Sequence, residues 1–192
     1  MISERVYQKR GAANPIGPSV DRKLHSVAVN TWNQIYARTA DSYSIKCPTY
    51  KGCSIDSRWA VFQTFEKWFL KHYRPRYHLD KDILVLGNKV YGPDTCCYIP
   101  QELNKLFTDH GRARGPYPQG VRKDNNSLNV SISRYGQSEV LGYFNKNNVV
   151  EASECYQEAK SEYVIDAARK YRSVIHVKVY KALLRRAKNR EF

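Results

Sequence analysis

The sequence predicts an α+β protein: a helical and ββα-like N-terminal module followed by a three-stranded antiparallel sheet packed on a helix. Three observations lead there. Aromatic residues recur every three or four positions from Trp59 to Tyr73, apolar and polar residues alternate through "NSLNVSIS", and small residues form a stripe from Ala152 to Ala167. At 192 residues the chain can hold one ordinary domain or two small ones.

Residues 1–23 mix Gly, Pro and charge and predict a flexible, extended leader. In "VAVNTWNQIYAR", Val27, Val29, Trp32, Ile35 and Tyr36 fall on one helical stripe. A second helix carries Trp59, Phe62, Phe65, Trp68, Phe69 and Tyr73, with Asp56 or Ser57 as its N-cap. Aromatics among Lys and Arg can stack on bases, but helical spacing favours inward packing, and these rings would form most of a small core.

From Tyr77 to Phe107 the pattern predicts a strand near His78 to Val85, a tight turn at "LGNK" and a second strand near Val90. A loop through "GPDT" and a short helix opening after Pro100 follow. The order is strand, strand, helix, and residues 24–109 form one module. Residues 110–118, in "GRARGPYPQG", have the composition of a linker.

Residues 119–171 form the second module. "DNNS" and "RYGQS" are turn chemistry separating three antiparallel strands. Leu128, Val130 and Ile132 share one face, and Asn129, Ser131 and Ser133 share the other. A helix from about Asn148 to Tyr171 presents Ala152, Cys155, Tyr156, Ala159, Tyr163 and Ala167 in a narrow stripe of mostly small residues. Its axis can therefore lie close to the apolar face, leaving the polar face open. Residues 172–192 form a basic C-terminal helix or tail with Ile175, Val179, Ala182 and Leu183 on one side. Nine basic and no acidic residues lie between Arg169 and Arg190. Such a run either adds salt-sensitive phosphate affinity or is a solvated helix face with a frayed tail.

The 32 Lys+Arg against 18 Asp+Glu give a formal net charge of +14, which favours a polyanionic partner, nucleic acid first. No run of about eighteen apolar residues could span a bilayer, and no secretory, lipidation or amphipathic membrane-surface signal is visible. These features predict a cytosolic protein without a membrane partner. Cysteines 47, 53, 96, 97 and 155 are odd in number and lack a C-x-x-C pair, which argues for free thiols rather than a disulfide framework or zinc knuckle.

Several marks hold their order and spacing in the second module: Gly120-Val121, Val130 and Ile132, Leu141-Gly142-Tyr143-Phe144, and Ala152, Tyr156 and Ala159. Over about a third of the chain this pattern resembles the DNA-binding domain of plant Apetala-two and ethylene-response factors, whose relatives occur as C-terminal modules of phage homing endonucleases. The resemblance implies a sheet laid in the major groove of double-stranded DNA. Position by position it transfers contacts to Gly120 and Arg122, to Ser131 and Ser133, and to Ser138, Val140 and Tyr143. The expected DNA-binding residues are Arg122, Lys123, Ser131, Ser133, Arg134 and Tyr143. Arg134 has inward parity and would escape it through its place at the turn. Where the plant domains often carry Arg, Glu and Trp for base contact, this chain carries Ser, Ser and Val, so affinity would rest mainly on the DNA backbone.

The layout from "PTYKGCSIDSRWAVFQTFEKWF" through "YHLDKDILVLGNKVYGPDTCCYIPQELNKLF" also resembles phage proteins of the HNH or homing-endonuclease type. That resemblance implies a strand–strand–helix finger with His78 as general base, and Asp80 and Asn104 as ligands of one Mg2+ or Mn2+ ion. Thr95 stands roughly where the family's orienting Asn belongs, and Asp82 is a spare carboxylate. The plainer alternative is an exposed strand histidine, turn-bonding carboxylates and an ordinary helix Asn104 on a finger that keeps its fold and does not cut. The expected function is a phage-encoded double-stranded DNA-binding protein in the host bacterial cytoplasm, with HNH-type cleavage as its sharper form. The rival is a protein-binding inhibitor of a host defence or nucleic-acid enzyme. RNA is disfavoured, because the strands carry no RNP-type aromatic motif.

Overall fold

A computed structural model describes residues 21–108 and 116–192; the leader up to residue 20 and most of the expected linker lie outside the described residues. The protein is α+β, with a three-stranded antiparallel sheet packed on a long helix.

Helix α1 (Arg22–Thr39) begins where the Asp21 carboxylate accepts from the Lys23 backbone N–H at 2.8 Å, so residues 22 and 23 belong to the helix rather than the leader. A short helix α2 (Asp41–Lys46) and strand β1 (Ser54–Ile55) follow. Asp56 acts as a cap, but of a 3-10 turn (Ser57–Trp59); extended backbone at Val61 separates this turn from α3 (Phe62–His72). The aromatic stripe packs inward as its spacing implies. Trp59, Phe65 and Phe69 are fully buried with Ala28 and Ile35, and Trp32 donates from Nε1 to the Trp59 carbonyl at 2.9 Å. Each buried ring contributes about 2–3 kcal/mol by removal from water.

The strand expected from His78 to Val85 is shorter, and its partner is different. Strand β2 (Tyr77–Asp80) ends where the Asp80 Oδ1 accepts from the backbone N–H groups of Asp82 and Ile83 at 2.8 and 2.6 Å, a side-chain turn that competes with the ladder. Asn88 closes the following loop by donating to the carbonyls of Lys81 and Val90, both at 2.8 Å. Strand β3 (Val90–Tyr91) therefore does not return along β2; it pairs in parallel with β1. The antiparallel partner of β2 is β4 (Cys97–Pro100), in register His78 opposite Ile99 and Asp80 opposite Cys97. Helix α4 (Gln101–Lys105) follows at once, and the strand–strand–helix order survives with β4 as the second strand.

Beyond residue 115 come β5 (Val121–Asp124), β6 (Ser127–Arg134) and β7 (Gln137–Asn145), antiparallel in that order. Helix α5 (Val149–Lys170) lies across one face, burying Val121, Leu128, Val130 and Ile132 against Ala152, Tyr156, Ala159 and Tyr163. The β6–β7 turn puts Tyr135 and Gly136 both at positive φ, as a two-residue hairpin requires. Tyr135 tolerates this beside Tyr163, whose hydroxyl accepts from its backbone N–H at 2.9 Å. The C-terminal segment is not a frayed tail. Helix α6 (Val177–Asn189) buries Val179, Ala182, Leu183 and Ala187, and Ser161 of α5 donates to the Ala187 carbonyl at 3.0 Å.

One core crosses the segment expected as a linker. Ile83, Cys97, Ile99, Leu103 and Leu106 belong to the same buried cluster as Leu128, Tyr156, Val164 and Leu183. Glu102 of α4 adds a polar clasp, with Lys170 of α5 at 3.2 Å and the Tyr171 hydroxyl as partners.

Gly120 sits at φ +78°, and a Cβ there would lie 1.9 Å from the Tyr156 ring. Gly120→Ala should cost about 2–4 kcal/mol in urea unfolding, from strain and overpacking together. At Gly142 the nearest atom to an added Cβ is 3.4 Å away on Phe144, and the same substitution should cost under about 1 kcal/mol.

Candidate functional site

Two surfaces gather the residues singled out by sequence. The first is the sheet face that α5 leaves uncovered. Register places Arg122 opposite Asn129 and Asn129 opposite Tyr143, so cation, amide and phenol form one row across the three strands. Ser131 stands opposite Val140, and Ser133 opposite Ser138. Val140 and Tyr143 are three residues apart and could not share a face in a regular strand. A bulge in the β6–β7 pairing between Val130 and Ser131 absorbs the extra residue and keeps both on the open side. Tyr143 is 64% exposed there. Among the described residues the Arg122 side chain makes no hydrogen bond or ion pair, so its guanidinium is available to phosphate or to a guanine edge.

Three expected contacts lie elsewhere. Lys123 pairs with buried Leu128 and so leaves the sheet on the helix side, exposed at the end of β5. Arg134 keeps its inward parity and is committed to Glu139 at 3.4 Å and to Glu162 of α5 at 3.5 Å. Gly120 meets the Tyr156 ring. Asn129 is the residue missing from the expected contacts; its alternation with Leu128 and Val130 was the available signal, and its amide can pair with adenine.

The second surface is a cleft of about 470 Å³ between α1, β2 and α4, and it brings His78, Asp80 and Asn104 together. His78 is exposed on β2, and Asp80 has the same strand parity. Burial raises the Asp80 carboxyl above its ordinary value, and nearby Asp82 adds to the effect against its two backbone hydrogen bonds. Asp82 is not a spare ligand, because the Lys81 ammonium holds its carboxylate at 2.7 Å. Nor does Thr95 orient His78: its hydroxyl donates to the Val90 carbonyl at 2.7 Å.

Among the described residues no group of three or more His, Cys, Asp or Glu side chains could hold a metal ion. Of the residues expected to hold an ion, the cleft offers Asp80 Oδ2, which accepts no hydrogen bond among the described residues, the Asn104 amide oxygen and the His78 imidazole. One carboxylate and one amide do not make a closed cage. They suit a hard ion such as Mg2+ or Mn2+ that keeps several waters and shares phosphate oxygens with a substrate, and a half-buried carboxylate with a raised pKa is the kind of group such an ion relieves. Comparison with protein-family models, with curated proteins and with solved structures gives no match.

The raised pKa has a sign. The folded chain holds the Asp80 proton to higher pH than the unfolded chain, so the contribution of this group to stability falls as pH rises above about 4. Asp80→Asn, which keeps an oxygen for the two backbone donors, should therefore gain stability relative to the parent between pH 4 and pH 7 in urea titrations. An equal difference at both pH values would contradict a raised pKa.

Proposed function

We propose that the protein binds double-stranded DNA with the open face of β5, β6 and β7. The observation that carries this reading is the Arg122–Asn129–Tyr143 row on a sheet face that no helix among the described residues covers. A phosphate-gripping cation, an amide with donor and acceptor, and an exposed ring suit contact with a groove, and the net charge of +14 favours approach to a polyanion. Only Arg122 among the cations first expected on this face is directed into it, so these residues supply about one phosphate contact. No helix among the described residues is long and apolar enough to cross a membrane. The setting we infer is phage-encoded expression in a bacterial host.

The convergence of His78, Asp80 and Asn104 on one cleft supports a sharper form, a metal-dependent endonuclease of HNH type. His78 would take a proton from the attacking water, and Asp80 and Asn104 would hold the ion. Mg2+ or Mn2+, when bound, would stabilise charge on the phosphodiester oxygens. The opposing observation is Thr95, spent on a backbone carbonyl, which leaves His78 without an orienting partner at that position. It favours a protein that binds without cutting, including one that blocks a host nucleic-acid enzyme by direct contact.

Incubation with supercoiled and genomic DNA plus Mg2+ or Mn2+ separates these readings. His78→Ala should abolish cleavage and leave the gel shift in place. Arg122→Ala should weaken duplex binding roughly tenfold and lower the salt dependence by about one counterion. A shift without cleavage retains DNA binding and removes the nuclease. Neither shift nor cleavage removes both and makes a protein partner the leading reading.

A further inference from the structure

The cleft holds more than the three residues of the finger. Arg38, in the last turn of α1, points a half-buried guanidinium into it, 5.9 Å from the Tyr50 ring centre. The other inner cation, Lys81, is neutralised by Asp82 at 2.7 Å and donates to the Asn88 carbonyl at 2.9 Å. Arg38 has no ion pair among the described residues and lies among the Tyr50, Tyr91 and Tyr43 phenols. A half-buried cation that forms no ion pair among the described residues, lining the same cleft as His78, is complementary to a phosphate.

The remaining walls are aromatic. Tyr73, Tyr77 and Tyr98 line the cleft, and two of these rings are fixed in place: Tyr73 stacks on Phe69 at 4.7 Å, and Tyr98 meets Tyr73 edge-on at 5.5 Å. Rings held this way lose little freedom on meeting a base. A volume of about 470 Å³ lies in the range that encloses a small organic ligand. A paired base inside a duplex cannot enter a concave wall; only an unpaired or extruded nucleotide can.

We propose that the cleft is a binding site for one unpaired nucleotide of a DNA strand, with the Arg38 guanidinium on its phosphate and the tyrosine rings against its base. The consequence is a substrate class. The cleft acts on single-stranded ends, bubbles or extruded nucleotides, and the sheet face holds the flanking duplex. The proposal rests on the reading of this cleft as the phosphodiester site. It is tested by binding alone, so that its failure and the failure of cleavage are seen separately.

The full chain is titrated, with divalent metal chelated, against a fluorescent oligothymidylate single strand and a blunt hairpin duplex of equal length. Arg38→Met should weaken single-strand binding roughly tenfold or more and change duplex binding by less than about twofold, with Arg38→Lys between. Arg122→Ala should give the reverse pattern. Single-strand binding that survives Arg38→Met, or an equal loss on both DNAs, overturns the proposal. Because Arg38 also packs on Tyr50, the unaltered protein supplies a second reading. Arg38 should be shielded from an arginine-selective dicarbonyl reagent by oligothymidylate, but not by the duplex or by inorganic phosphate at equal phosphate concentration. Loss of that shielding, or equal shielding by inorganic phosphate, overturns the nucleotide site.

Discussion

Strand β4 packs against a core on each of its faces, and the arrangement of the whole molecule follows from that constraint. Cys97 and Ile99 enter the core shared with the C-terminal sheet and helices, while Tyr98 turns to the aromatic cluster of α1 and α3, where Cys96 beside it is also buried. Four residues of strand thus belong to two cores at once. Strand β2 must pair with β4 to satisfy its backbone groups. The walls of the cleft are therefore fixed by packing on either side of a single strand.

The loop between β2 and β3 is held by polar side chains rather than by burial alone. Asp80 turns the chain, Asn88 bonds across its neck, and buried Lys81 lies near the Tyr50 and Tyr91 rings. Helix α6 clamps the loop from outside: Arg185 donates to the Leu84 carbonyl at 3.0 Å, and Arg186, over the Phe107 ring at 4.0 Å, reaches the Asp82 carbonyl at 3.4 Å. Asp80 carries two duties here, turning the strand and presenting a carboxylate in low dielectric.

Elements with a local period were legible in the sequence. The alternation of Leu128, Val130 and Ile132, the turn residues around them and the small stripe of α5 each state their own geometry within about ten residues. The β2–β4 pairing was not legible, because the partners are separated by the whole 81–96 loop and because a strand packed on both faces shows no alternation. "LGNK" imitated a hairpin turn, but the side-chain bonds of Asp80 and Asn88 had already diverted the chain. On the open face, alternation located Asn129, Ser131 and Ser133 and the resemblance supplied Arg122 and Tyr143; parity would also have placed Lys123 and held Arg134 inward had it been followed over charge. His78, Asp80 and Asn104 were grouped by resemblance and do share a cleft. Arg38 was invisible because α1 is far from them in sequence and only the fold brings it near.

The clasp of Glu102 on Lys170 and Tyr171 joins the helix that carries Asn104 to the helix that backs the sheet. Lys170 also caps the Tyr135 ring at the tip of the β6–β7 hairpin, 4.2 Å from its centre. Cleft and sheet are thus parts of one caliper, with a jaw spacing set by packed side chains rather than by the reach of a tether. For a nucleic acid that engaged both, the number of nucleotides between the gripped duplex and the one in the cleft would be a constant of the fold.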